Sequence, residues 1–198
     1  VSLRTHRINI RQELGAITGI FESDQIVHQY VAGRKAAVYK SQTTHFAADP
    51  EASYSARFTI DLGHLEPYIA IYPDPDNVQP ITAQLGMKFD GIFIGACTTT
   101  EEDLVLAALV LRAGLSRGLS PAPGTRVVVP GSLPIVKNLE MLDLLEVFSQ
   151  CGFDQPAPSC SLCLGIGADV APSGTTWLST QNRNFKNRMG KGVSASIW

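Results

Sequence analysis

Apolar residues recur at helical spacing between residues 17 and 31, where Ile17, Ile20, Phe21, Ile26, Val27 and Tyr30 fall near one stripe. The spacing predicts a helix, with Ser23 or Asp24 as a cap or restart within it. The stretch from Arg34 to Glu51 is polar and weakly patterned. Ala56-Arg57-Phe58-Thr59-Ile60-Asp61 then alternates at period two, which predicts a half-buried strand. Beyond it Pro67, Pro73, Pro75 and Pro80, with Asp74, Asp76 and Asn77, form a turn-rich connector. The expected boundary lies there: residues 1–80 as the end of a preceding, smaller α/β portion plus the connector, and residues 81–198 as a second α/β unit.

The second unit is more regular. An apolar run, Gly91-Ile92-Phe93-Ile94-Gly95, precedes a helical pattern from about Glu101 to Gly118. Thr125-Arg126-Val127-Val128-Val129 reads as a buried strand, and a second helical pattern runs from about Leu133 to Gln150. Strand, helix, strand, helix with short connections is the signature of an α/β unit with a parallel sheet. Such sheets bind ligands outside the carboxyl ends of their strands. Cys97 follows the first strand directly, and Pro130-Gly131-Ser132 follows the second.

Composition narrows the partners. With 44% hydrophobic residues the chain can bury a core, and its formal charge of −2 comes without a basic stripe, so neither nucleic acid nor an anionic membrane surface is expected. Apolar runs such as Leu104–Leu111 are far shorter than a bilayer span. The chain opens Val1-Ser2-Leu3 with no charged-then-apolar leader. An intracellular location, mitochondrial or cytoplasmic, is the expectation, and small molecules are the expected partners. Four cysteines at 97, 151, 160 and 163 are too sparse and uneven for a disulfide scaffold.

Cys160-Ser161-Leu162-Cys163 is a CxxC, a spacing that serves a metal, a redox disulfide or neither. Together with Cys97 it makes three thiolates, which leave one metal position open, as a Lewis-acid catalyst requires. Zinc is the rival, with Cys151 as a fourth ligand, although Cys151 ends a helical pattern and reads as a buried apolar side chain. At the strand end before Thr98-Thr99-Thr100, the N-terminus of the following helix is expected to favour a Cys97 thiolate. Downstream, Asn182-Arg183-Asn184-Phe185-Lys186-Asn187-Arg188 crowds two arginines into a short loop ending at Gly190. Arginine forks match carboxylates, so two of them beside a metal select a polycarboxylate.

These segments resemble the motifs of the aconitase family, which comprises aconitase, isopropylmalate isomerase and homoaconitase. Gly95-Ala96-Cys97-Thr98-Thr99 is similar to G-S-C-T-N, Pro158-Ser159-Cys160-Ser161-Leu162-Cys163-Leu164-Gly165 to P-x-C-G-x-C-x-G, and Asn182–Arg188 to N-R-N-F-x-G-R. Asn9-Ile10-Arg11-Gln12-Glu13-Leu14-Gly15-Ala16 resembles N-x-x-x-E-x-G-A, and the details around Gly15–Phe21 and Asn184–Gly190 look nearest to homoaconitase. The resemblance implies a three-layer α/β/α aconitase-type fold and a [4Fe-4S] cluster on Cys97, Cys160 and Cys163. It implies that Asn9, Asn182, Arg183 and Arg188 bind a hydroxy di- or tricarboxylic acid, and that Glu13 takes part in proton transfer at the departing hydroxyl. It also implies a serine base supplied by a further domain or a separate subunit, so this chain is expected to be incomplete as a hydro-lyase. Ala96, Thr99, Ser161 and Asn187 depart from the motifs, and they motivate an alternative: a repurposed binding or assembly module without hydratase activity.

Overall fold

A computed structural model describes residues 17–34, 45, 47–97, 99–167 and 169–198. The chain divides into two compact units between Leu65 and Glu66.

In the first unit, helix α1 spans Gln25–Ala32. It begins at the residue the sequence marks as a cap: Asp24 is extended, and its carboxylate accepts the Val27 amide at 3.0 Å. The expected helix from residue 17 is therefore shorter, because Ile17 and Ile20 are 98% and 86% exposed and pack their stripe against nothing among the described residues. The alternating run 56–61 is not a strand. Phe58 and Ile60 are exposed, and without a partner ladder an alternating pattern has no backbone hydrogen bonds to hold it. The rings of His28 and His45 lie 3.9 Å apart, and Ser23 Oγ is 2.8 Å from His45 Nδ1.

The second unit is a six-stranded mixed sheet: β1 Tyr68–Ala70, β2 Val78–Pro80, β3 Gly91–Gly95, β4 Thr125–Val129, β5 Thr176–Ser179 and β6 Ser194–Ile197, in the order β2-β1-β6-β5-β3-β4. The four strands β6, β5, β3 and β4 are mutually parallel, and the β1–β2 hairpin adds antiparallel through Ala70 to Ile197. The α/β expectation is met, with a mostly parallel sheet. The proline-rich connector itself supplies this hairpin. Its turn contains a cis Tyr72–Pro73 bond, and the Tyr72 amide donates to Ser196 Oγ of β6 at 3.3 Å.

Alternating side chains of the central strands build a core on each face. Ile94 and Val128 point towards helices α2 (Glu101–Ser116), α3 (Leu133–Met141) and α4 (Leu145–Gln150), where they pack with Leu104, Ala108, Leu139 and Phe148. Phe93, Val129 and Trp177 point the other way, onto Leu162, Cys163, Ala171, Met189 and Val193. The single helix expected over 133–150 is two, because Asp143 adopts φ 54° between them, and Cys151 closes the second as its C-cap. The Trp177 indole lies over its register partner Gly91, where a Cβ would approach to 2.6 Å, so only glycine lets β3 and β5 pair this closely.

Candidate functional site

The chain runs from β3 outward to β4, then crosses back to place β5 on the opposite side of β3. This reversal is the topological switch point of the parallel sheet, and open parallel sheets bind ligands at such a point, outside the carboxyl ends of β3 and β5. Cys97 leaves the first of these strands and the Asn182–Arg188 loop leaves the second. Thr180 ties the two exits together: its amide donates to Phe93 O at 3.0 Å, and its hydroxyl oxygen accepts the Gly95 amide at 2.9 Å.

The CxxC arrives from the side of the sheet that carries Phe93 and Val129. Its single turn, helix α5 (Ser161–Leu164), seats Leu162 and Cys163 in that core beside Ala96, the residue before Cys97. Gly165, in the left-handed region at φ +69°, lets this turn lie directly on the backbone of Met189 and Gly190, where any side chain would collide. Cys163 is buried, whereas Cys97 and Cys160 are exposed, and all three are free thiols. Burial pushes the Cys163 thiol above its ordinary range; the charge and hydrogen bond of Arg188 pull it down, and repulsion from Cys97 and Cys160 raises it again. Cys97 and Cys160 each lie within electrostatic reach of Cys163.

Cys151 sits apart. It belongs to the core on the helix side of the sheet, with Phe148 and Phe153, so it does not complete a set of four thiolates with Cys163. Among the described residues, no group of three or more His, Cys, Asp or Glu side chains is gathered tightly enough to hold a single metal ion. The expected help from the helix N-terminus is also redirected. Thr100 and Asp103 close a capping box, with Thr100 Oγ1 accepting the Asp103 amide at 3.2 Å and Asp103 Oδ2 accepting the Thr100 amide at 3.0 Å. Glu101, Glu102 and Asp103 fill the first turn, so carboxylates already meet the positive end of α2.

In the arginine loop, Asn182 and Arg183 are half-buried. Arg188 is 8% exposed, and its Nη2 donates to Cys163 Sγ at 3.2 Å. Asn184 is fully buried and donates to Ala70 O at 3.0 Å, fastening the loop to the hairpin. Among the described residues, the buried side-chain nitrogen and oxygen atoms without a hydrogen-bond partner are Gln181 Nε2 and Oε1, Asn184 Oδ1 and Arg188 Nε, all on this one loop. Leaving such atoms dry costs a protein about 1–3 kcal/mol each, which marks a loop shaped to meet polar groups. Asn9 and Glu13 lie outside the described residues. Sequence reading missed Thr180, Gln181 and Asn184 as working residues. Thr180 becomes readable only once β5 is known to lie beside β3, which no local pattern announces.

The fold and the strand exits thus define a parallel-sheet α/β protein with Cys97 and an arginine loop at its switch point. The sequence pattern of the aconitase family (aconitate hydratase) matches residues 4–91 and 82–198, and the chain belongs to that family. It is 62% identical over 189 residues to a protein named aconitase htyD from Aspergillus rugulosus, covering 96% of this chain and 22% of that protein. It is 58% identical over 189 residues to the 3-isopropylmalate dehydratase large subunit gloJ of Glarea lozoyensis, again covering 96% of this chain and 22% of the relative. A probable methanogen homoaconitase large subunit from Methanosarcina mazei is 35% identical over 188 residues, 92% of this chain and 44% of that protein. The chain thus spans about a fifth of the length of the first two relatives. No helix among the described residues is long and apolar enough to cross a membrane.

Proposed function

We propose that this chain is the cluster-bearing portion of a homoaconitase-like hydro-lyase, one that dehydrates and rehydrates a hydroxy di- or tricarboxylic acid. The observation that supports this reading is the exit of Cys97 and of the arginine loop at one switch point, with Arg188 bonded to Cys163 of the CxxC. The donor set suits a [4Fe-4S] cluster on Cys97, Cys160 and Cys163. When bound, the cluster supplies an open Lewis-acid iron for the substrate hydroxyl.

The chain's own residues do the remainder. Arg183, Arg188 and Asn182 grip the carboxylates of the acid by charge-assisted hydrogen bonds, fixing its carbon skeleton against rotation. Asn9 contacts the bound acid, and Glu13 exchanges a proton with the departing or returning hydroxyl oxygen. The base that removes the carbon-bound proton comes from another domain or a separate subunit, a reading supported by relatives named as large subunits.

The test is anaerobic reconstitution of the full-length protein with iron and sulfide. Uptake of about four irons per chain is expected, lost in Cys97→Ser. Absence of bound iron in the unmodified protein would refute the proposal.

A further inference from the structure

We propose that Arg188, beyond holding a substrate carboxylate, is a positioning residue for the cluster: its guanidinium fixes the Cys163 sulfur and makes the metal group there easier to reduce. This rests on the reading that the three cysteines carry an iron–sulfur cluster.

The geometry is one of enclosure. Arg188 is 8% exposed, and its Nη2 lies 3.2 Å from Cys163 Sγ. Its Cζ sits 5.4 Å from the centre of the Phe185 ring, and its amide donates to Phe185 O at 3.0 Å, so the side chain and backbone are held by one turn. The next element of that turn is fixed too, since Asn187 Oδ1 accepts the Gly192 amide at 3.0 Å. Among the described residues no carboxylate forms an ion pair with Arg188. A guanidinium buried without a counter-charge is costly, and a coordinated thiolate is an anion that offsets the cost. Nε remains buried and unpartnered, a donor still free for a carboxylate oxygen.

The consequence follows from charge. Adding an electron makes the metal group and its sulfurs more negative, and a cation donating a hydrogen bond to a ligand sulfur stabilises that state more than the oxidised one. Arg188 therefore raises the reduction potential. It also joins the electron-rich end of the site to the acid-binding end through a single planar group.

The experiment is an electron-paramagnetic-resonance redox titration of the reconstituted full-length protein, with iron content measured in parallel, on the unmodified protein and on Arg188→Gln, Arg188→Lys and Phe185→Leu. The midpoint should become more negative in all three. The shift should be larger for Gln than for Lys, and smallest for Leu, which loosens the guanidinium but keeps its charge. If Arg188→Gln loses its cluster, the shift is required of the other two variants. Full iron content with unchanged midpoints would overturn the inference and leave Arg188 a carboxylate ligand only. An unmodified protein that takes up no iron would remove the cluster reading itself, and this inference with it.

Discussion

Asn187 shows how one substitution can preserve a site. It stands where the family motif has glycine, and its backbone is left-handed at φ 66°, the conformation glycine adopts freely and asparagine tolerates better than most residues. Its side chain adds what glycine lacks, accepting the Gly192 amide at 3.0 Å. Asn187→Ala should therefore lose about 1–3 kcal/mol, combining the left-handed penalty with a lost hydrogen bond, while Asn187→Gly should lose less. Denaturant melts of the two variants test this, and equal losses would contradict it. At this scale much of the site was legible. The cysteines and the arginine loop announce themselves by motif, and the structure sets Arg188 against Cys163 and the CxxC turn beside Ala96. The direction in which Arg188 points was not legible, because a guanidinium serves a carboxylate and a sulfur equally well and only packing against Phe185 and Cys163 decides.

Elements carry the alignment of those residues. The β3–β5 pair sets the spacing between Cys97 and the arginine loop, and the Thr180 hydroxyl locks it at Gly95. Thr180→Val removes the acceptor and leaves the Gly95 amide without it, a cost of about 1–3 kcal/mol, while Thr180→Ser keeps it. Iron uptake should fall in the valine variant and recover in the serine variant; uptake unchanged in both would show that the clasp does not set the site. Strands β3 and β4 were readable as apolar runs with β-branched residues. Strands β5 and β6 were not, being four residues each and rich in serine and threonine, with stability drawn from neighbours rather than from any pattern of their own. The run 56–61 erred in the opposite sense, since its alternation is genuine but joins no ladder among the described residues.

Across the whole molecule the sheet separates two environments. Cys151 on the helix side is 3% exposed, and its thiol is pushed above the ordinary range by burial, with the Arg126 charge opposing. The folded chain then holds the proton longer than the unfolded one. Cys151 leaves stability unchanged while both forms are protonated and lowers it as pH rises past the ordinary thiol range, where only the unfolded chain ionises. Iodoacetamide should thus modify exposed Cys97 and Cys160 in the native, metal-free protein and spare Cys151 until denaturant is added; early labelling of Cys151 would contradict the burial. The same wall bears on repair after oxidative damage. If Cys160 or Cys97 is oxidised to a sulfinic acid, the remaining thiol of the chain stands across a layer of paired strands from Cys163, so no spare sulfur is at hand to replace it. Reduction can restore these thiols only at the earlier, sulfenic stage; past it, recovery depends on new synthesis of the chain.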